Sequence, residues 1–166
     1  MKAVQAKFKK VIATLKPYLL TFIFIFCSFI LAFVLCCVFN KPQTAWYKEL
    51  EKSFLYPPEI LFPIIWGIIY LVLIYVCTVS VYKSKRTALI IQVAATLVLF
   101  VLWNLFFFTL HSPIFGFLIL LAILFLSISI FKVSYKTNKA LGWLTVFYMA
   151  WLSYLLVLNY FILMIN

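Results

Sequence analysis

The chain has 166 residues, of which 68% are hydrophobic, 20% aromatic and only 10% charged, with a formal net charge of +11. Soluble domains carry about 25% charged and about 45–50% apolar residues, so this composition excludes a soluble globular enzyme, a disordered chain and a disulfide-stapled secreted module. It leaves an integral membrane protein, in which charge is read by location because lipid-embedded segments exclude it.

A basic leader, residues 1–17, carries Lys2, Lys7, Lys9, Lys10 and Lys16. The uncharged window that follows, 18–39, is longer than the 7–15-residue core of a signal peptide and has no A-x-A site after it. It reads as a retained first span. Cys27, Cys36 and Cys37, with Cys77 further on, fall at membrane depth without His or carboxylate partners. They read as buried small hydrophobes rather than as a disulfide framework or a metal site.

The longest connection, 40–59, contains Pro42, Trp46, Tyr47, Phe54, Tyr56, Pro57 and Pro58. Loops of this length are uncommon and tend to be lids or binding loops. Two readings stand: a cap folded over the bundle, or Trp46 and Tyr47 as interfacial belt aromatics. The second window, 60–82, opens on Tyr56-Pro57-Pro58-Glu59, and proline suits a helix's first turn. Phe62, Trp66 and Tyr70 recur every four residues and share one face. Gly67, lying between them, reads as a small residue that allows close helix approach.

After the basic loop 83–86 (Lys83, Lys85, Arg86), the third window, 87–110, gathers Trp103, Asn104, Phe107 and Phe108 near its end. His111, the only histidine, follows and reads as structural. The fourth window is 114–131, the basic loop 132–139 carries Lys132, Lys136 and Lys139, and the fifth window is 140–166. Tyr148, Trp151, Leu155 and Asn159 fall along one stripe of that last span.

Each window is long enough to cross ~30 Å of hydrocarbon as a helix. Backbone groups in lipid must be satisfied internally, and these solidly apolar runs lack the alternation of a β-barrel. The expected fold is therefore an all-α integral membrane protein, a bundle of five transmembrane helices occupying 18–166. Eleven of the 14 basic residues lie in the leader and in the loops 83–86 and 132–139. That alternation predicts a cytoplasmic N-terminus, with the 40–59 loop on the outer side. It accounts for the +11 as topology and lipid contact, so no nucleic-acid partner is expected.

The five windows hold no Asp, Glu, Lys, Arg or His. This argues against a pump, an ion channel and an acid–base hydrolase. No phosphate loop, dinucleotide fingerprint or zinc spacing occurs, so neither a metal nor a cofactor is expected. Asn104 and Asn159 should face inward, since amides are costly in lipid. With Trp66 and Trp103 they could line one apolar cavity in the outer half, suited to a planar hydrophobic ligand with a few polar handles. Plain helix packing is the alternative use of the same aromatics.

Trp46-Tyr47-x-x-Leu50-x-Lys52, followed by Pro57-Pro58-x-x-x-Phe62-x-x-x-Trp66-x-x-x-Tyr70, resembles the first loop and second helix of the TspO/MBR family. That family comprises bacterial tryptophan-rich sensory proteins and the mitochondrial translocator protein, formerly the peripheral-type benzodiazepine receptor. Trp103-x-x-x-Phe107-Phe108 resembles its third-helix element, and Tyr148-x-x-Trp151-x-x-Tyr154-x-x-x-Leu158-Asn159 its last-helix motif. The chain departs from the family pattern at Phe100 and Thr96, where amides are usual, at Asn104, where Ser is usual, and at Phe147, where Pro is usual. These changes bear on ligand preference more than on fold. No basic residue follows Tyr160, so the sterol-recognition string of mammalian members is lacking.

The resemblance implies a membrane receptor or carrier for porphyrins and related tetrapyrroles. Its pocket and cap would draw on Trp46, Tyr47, Phe62, Trp66, Tyr70, Trp103, Asn104, Phe107, Trp151 and Asn159. It also implies an alternative, light-dependent porphyrin breakdown in which Trp66 and Trp151 are the catalytic candidates and the porphyrin is its own photosensitiser. A third implied role is a regulatory membrane protein that senses its ligand. Family members are often homodimers, but no small-xxx-small seam marks an interface here. The Lys-rich leader and the Phe/Ile/Lys bias point to a bacterial cytoplasmic membrane.

Overall fold

The computed structural model describes the backbone of residues 2–40, 44–85 and 87–166, and side chains from Leu15 onward within those segments. Lys41, Pro42 and Arg86 lie outside the described residues, as do the side chains of Lys2, Lys7, Lys9 and Lys10. The described residues form helices and their connections, without a strand: α1 Lys2–Phe39, α2 Ala45–Glu49, α3 Leu61–Ser84, α4 Thr87–Asn104 running into a π-turn Leu105–Thr109, α5 Pro113–Thr137 and α6 Lys139–Ile165. Five of these helices, α1, α3, α4 with its π-turn, α5 and α6, are long and apolar enough to cross a membrane.

The helix boundaries differ from the uncharged windows in an instructive way. The basic leader and the first span are one continuous helix with Pro17 inside it. Likewise α5 continues past the uncharged window to Thr137, so Lys132 and Lys136 ride its final turns and the 132–139 loop shrinks to Asn138. Charge ends a lipid-buried window but not a helix, because Lys is a good helix former and its stem can extend to the interface. Asn138 serves both helices. Its N–H bonds back to the Ser134 carbonyl at 2.9 Å, and its side chain accepts from the Ala140 N–H at 2.8 Å, the action of an N-cap.

The helices pack as a bundle in which α3 touches all four of the other spanning helices. α5 and α6 make the most extensive contact, α4 lies on α5, and α1 lies on α3 and α4. Tyr18 meets Tyr82 edge-on at 5.2 Å at one end of the bundle, and the Thr109 hydroxyl donates to the Phe39 carbonyl at 3.1 Å at the other. Buried hydroxyls mostly bond within their own helix: Thr96 to Gln92, Ser127 to Ile123, Thr145 to Leu141, each onto the carbonyl four residues back. Ser80 instead donates to Ser134 at 3.0 Å, which ties α3 to α5. Among hydrocarbon chains such close packing and interhelical hydrogen bonding, rather than exclusion of water, hold helices together.

Candidate ligand-binding site

At the end of the bundle near the 40–59 connection, α1, α3, α4 and α6 enclose a cavity of about 750 Å³. That volume lies within the ~300–1,000 Å³ range of small-molecule and cofactor sites. Each wall follows from helix spacing. Phe62, Trp66 and Tyr70 come from one face of α3, and Leu155, Asn159 and Ile162 from one face of α6.

The α4 wall depends on the π-turn. In an α-helix Phe107, four residues after Trp103, would share its face, whereas Phe108 would point away. Widening the turn to an i→i+5 repeat brings Phe108 round to the same side. Trp103 then stacks on Phe107 with centroids 5.7 Å apart and meets Phe108 edge-on at 5.8 Å, and all three line the cavity. The segment closes with Leu110 N–H bonded to the Leu105 carbonyl, and His111 adopts a left-handed φ of 52°. Histidine is among the residue types enriched there.

The 40–59 connection folds over the opening. Tyr47, on α2, is buried and reaches the cavity, packing on Phe108 at 5.3 Å. Its hydroxyl is hydrogen-bonded to that of Tyr56, which also lines the cavity and packs on Phe62 at 5.4 Å. Lys52 Nζ lies 4.3 Å from the centre of the Tyr47 ring and 3.1 Å from Glu59, a cation–π contact joined to an ion pair. Burial pushes both phenols up; for Tyr47 the bond from Tyr56 partly offsets this, whereas for Tyr56 the neighbouring Tyr47 and Glu59 add to it. Two further ties hold the loop to α6. The Tyr154 hydroxyl donates to the Leu55 carbonyl at 2.7 Å, and the Asn166 amide pairs with both the N–H and the C=O of Glu51.

Eight of the ten residues expected in the site line this cavity: Tyr47, Phe62, Trp66, Tyr70, Trp103, Asn104, Phe107 and Asn159. Two do not. Trp46 stacks on His111 at 4.5 Å and meets Phe107 at 5.8 Å, so it secures the loop rather than facing the space. Trp151 packs from outside against Phe62 at 6.0 Å and Trp66 at 6.5 Å.

Sequence reasoning passed over Tyr56 and the Cys36–Cys37 pair, which also line the cavity, and it singled out Phe100 only as a departure bearing on ligand preference, not as a wall residue. Nothing in the spacing pairs Tyr56 with Tyr47. Phe100, one turn before Asn104 on α4, carried a legible signal in its spacing. It meets Trp66 edge-on at 5.1 Å and also borders a small void deeper in the bundle, beside Tyr148.

Polarity in the cavity is sparse, and deeper in, away from the Tyr47–Tyr56 pair and Glu59 at the mouth, much of it has no partner. Trp103, Asn104 and Asn159 are all at least nine-tenths buried. Asn104 donates to the Phe100 carbonyl at 2.9 Å, but its own oxygen has no partner. The Trp103 indole N–H and both polar atoms of the Asn159 amide also lack one. Buried polar atoms nearly always have a partner, so these three side chains hold hydrogen-bonding groups that the protein itself leaves available to an occupant of the cavity. Gly116 keeps Asn159 in place, since a Cβ there would sit 3.1 Å from its Nδ2 and 3.0 Å from the Phe107 ring.

The TspO/MBR family model matches residues 23–165. The tryptophan-rich protein TspO of Chlorobaculum tepidum is 29% identical over 131 residues, covering 76% of this chain and 82% of that protein.

Proposed function

The chain belongs to the TspO/MBR family and is an integral, multi-pass membrane protein, and from that premise we propose that it binds porphyrins or similar planar hydrophobic ligands, as a receptor or carrier in tetrapyrrole homeostasis or stress sensing. The observation that carries the reading is the aromatic cavity with an unpartnered donor on Trp103, an unpartnered acceptor on Asn104 and a free amide on Asn159. Flat rings stack or meet edge-on with indole and phenyl walls, while a few buried polar atoms fix orientation. The basic ends of the helices face the cytoplasm in this reading, and the capped cavity opens toward the outer half of a bacterial cytoplasmic membrane.

A second reading is light-dependent porphyrin breakdown. It is favoured by the edge-on contact of Trp66, which lines the cavity, with Trp151 behind it. The bound porphyrin would absorb the light, so no acid–base pair is required.

Titration of the purified protein with protoporphyrin IX in the dark, followed by tryptophan quenching and then by absorption spectra under illumination, tests both. Saturable quenching with an unchanged porphyrin spectrum is expected of a receptor or carrier. A new spectrum that is lost in Trp66→Phe and Trp151→Phe supports the photochemical reading. Absence of saturable quenching at micromolar ligand overturns porphyrin binding.

A further inference from the structure

The cavity wall is incomplete between α1 and α3. On α1 the lining residues Phe33, Cys37 and, at its end, Asn40 are exposed, and so are Glu59, Ile60, Pro63 and Gly67 on and before α3, so the gap is apolar along the helices and polar at its upper end. The spacings 33/37 and 60/63/67 place each set along one helix face. The two helices touch lower down, where Tyr70 meets Phe29 and Phe33 edge-on at 5.6 and 6.0 Å. Above that level the seam opens. A Cβ on Gly67 would have nothing within 4 Å, so this glycine does not mediate close helix approach, contrary to the expectation from sequence. A glycine without a neighbour leaves a gap, and here the gap leads into the cavity. Phe33, Cys37, Pro63 and Gly67 belong to segments long and apolar enough to span a membrane, so the gap between them opens sideways, toward where the bilayer would lie. On the outer side, by contrast, the loop is tied down by Tyr154 and Asn166.

We propose that the slot between Phe33/Cys37 and Pro63/Gly67 is the ligand's entrance, and that the site takes planar hydrophobic molecules already dissolved in the bilayer rather than from water. The inference rests on the proposed binding function for its ligand, but the slot itself is testable without one. Its edge carries a thiol, Cys37, while Cys27 is exposed elsewhere on α1 and is not part of the lining.

The full-length protein in liposomes is treated either with N-(1-pyrenyl)maleimide, which partitions into lipid, or with a charged maleimide confined to water, and labelling is read by site-resolved mass spectrometry. Cys37 is expected to react with the lipid-soluble reagent and at least tenfold more slowly with the charged one. Gly67→Trp, which fills the gap, should slow the lipid-soluble reaction at Cys37 at least tenfold and leave Cys27 unchanged. Ile68→Trp, on the exposed face one residue along, should change neither rate. Protoporphyrin IX added from preloaded vesicles should associate at least tenfold more slowly with Gly67→Trp.

Equal reaction of wild-type Cys37 with both reagents overturns the proposal even if Gly67→Trp fails to fold. Unchanged Cys37 labelling in a folded Gly67→Trp also overturns it, as does unchanged porphyrin association. If wild type shows the labelling pattern but binds no porphyrin, the slot stands and the porphyrin reading falls.

Discussion

Asn159 puts the division between stability and function on one side chain. Its amide is buried with no hydrogen-bond partner, and an unsatisfied buried polar group costs about 1–3 kcal/mol. Asn159→Leu keeps the volume and removes that cost, so the ligand-free protein should melt at the same or a higher temperature. A ligand contact would be lost at the same time. At about 0.5–1.5 kcal/mol net per hydrogen bond, porphyrin affinity should fall roughly two- to tenfold. A lowered melting temperature with unchanged affinity would make Asn159 a packing residue. The two tryptophans of the photochemical reading should also separate. Trp66→Phe alters the cavity wall and should weaken dark binding, whereas Trp151→Phe should leave dark affinity close to wild type, because Trp151 only backs that wall. The Tyr47–Tyr56 pair sets the pH behaviour of the cap. Both phenols are pushed above the usual value of about 10 by burial. From the point where an unfolded tyrosine begins to ionise, the folded state therefore holds more protons, and stability falls as pH rises. Cap closure and ligand affinity should stay flat between pH 6 and 9 with respect to these groups and weaken only above about pH 10. Trp46 fluorescence in a variant lacking the other tryptophans would follow it, and a transition near neutrality would contradict the assignment.

Individual elements were legible to different degrees, and the reasons are physical. The spans could be read because lipid forbids charge and unpaired backbone, and the faces of α3 and α6 could be read because helical spacing fixes which residues align. The π-turn could not: Leu105–Thr109 contains neither Gly nor Pro, and the widened turn shows only in the hydrogen bonds it makes. The left-handed end of α3 was equally hidden, since Lys85 takes φ 50° at a position usually held by Gly. A non-glycine residue there costs about 1–2 kcal/mol. Lys85→Gly should therefore raise the thermal midpoint modestly, unless removing the charge disturbs insertion, which the ratio of inserted to total protein would reveal. The 40–59 connection was legible as a long aromatic loop, but neither its choice between capping the bundle and lying in the interface nor its anchors were. Tyr154 and Asn166 lie 99 and 115 residues from the backbone they bind, and no local pattern encodes a contact at that separation. Tyr154→Phe combined with Asn166→Ala should expose the 50–56 segment to protease and quicken ligand release, with little change in the helical signal.

At the scale of the whole molecule, antiparallel connectivity and charge segregation make one argument. Chain reversals at 85, 111–113 and 138 bring the N-terminal end of α1, the end of α3 and the α5–α6 junction to one end of the bundle, and Lys83, Lys85, Lys132, Lys136 and Lys139 gather there. The opposite end holds the cap, where Lys48 and Lys52 are balanced by Glu49, Glu51 and Glu59. Lys and Arg near span ends resist translocation, while carboxylates contribute little. The basic end should therefore remain in the cytoplasm and the cap should cross. Phe54 stands 91% exposed at the tip of the cap, and Lys136 is exposed at the other end. With Cys27 and Cys37 replaced by Ser, Phe54→Cys should be labelled by an impermeant maleimide in intact cells, and Lys136→Cys only after permeabilisation. The reverse pattern would invert the bundle and place the cap over the cytoplasmic face. The slot between α1 and α3 would keep its access to lipid in either orientation, because both of its edges lie within the spans, but the leaflet supplying the ligand would change.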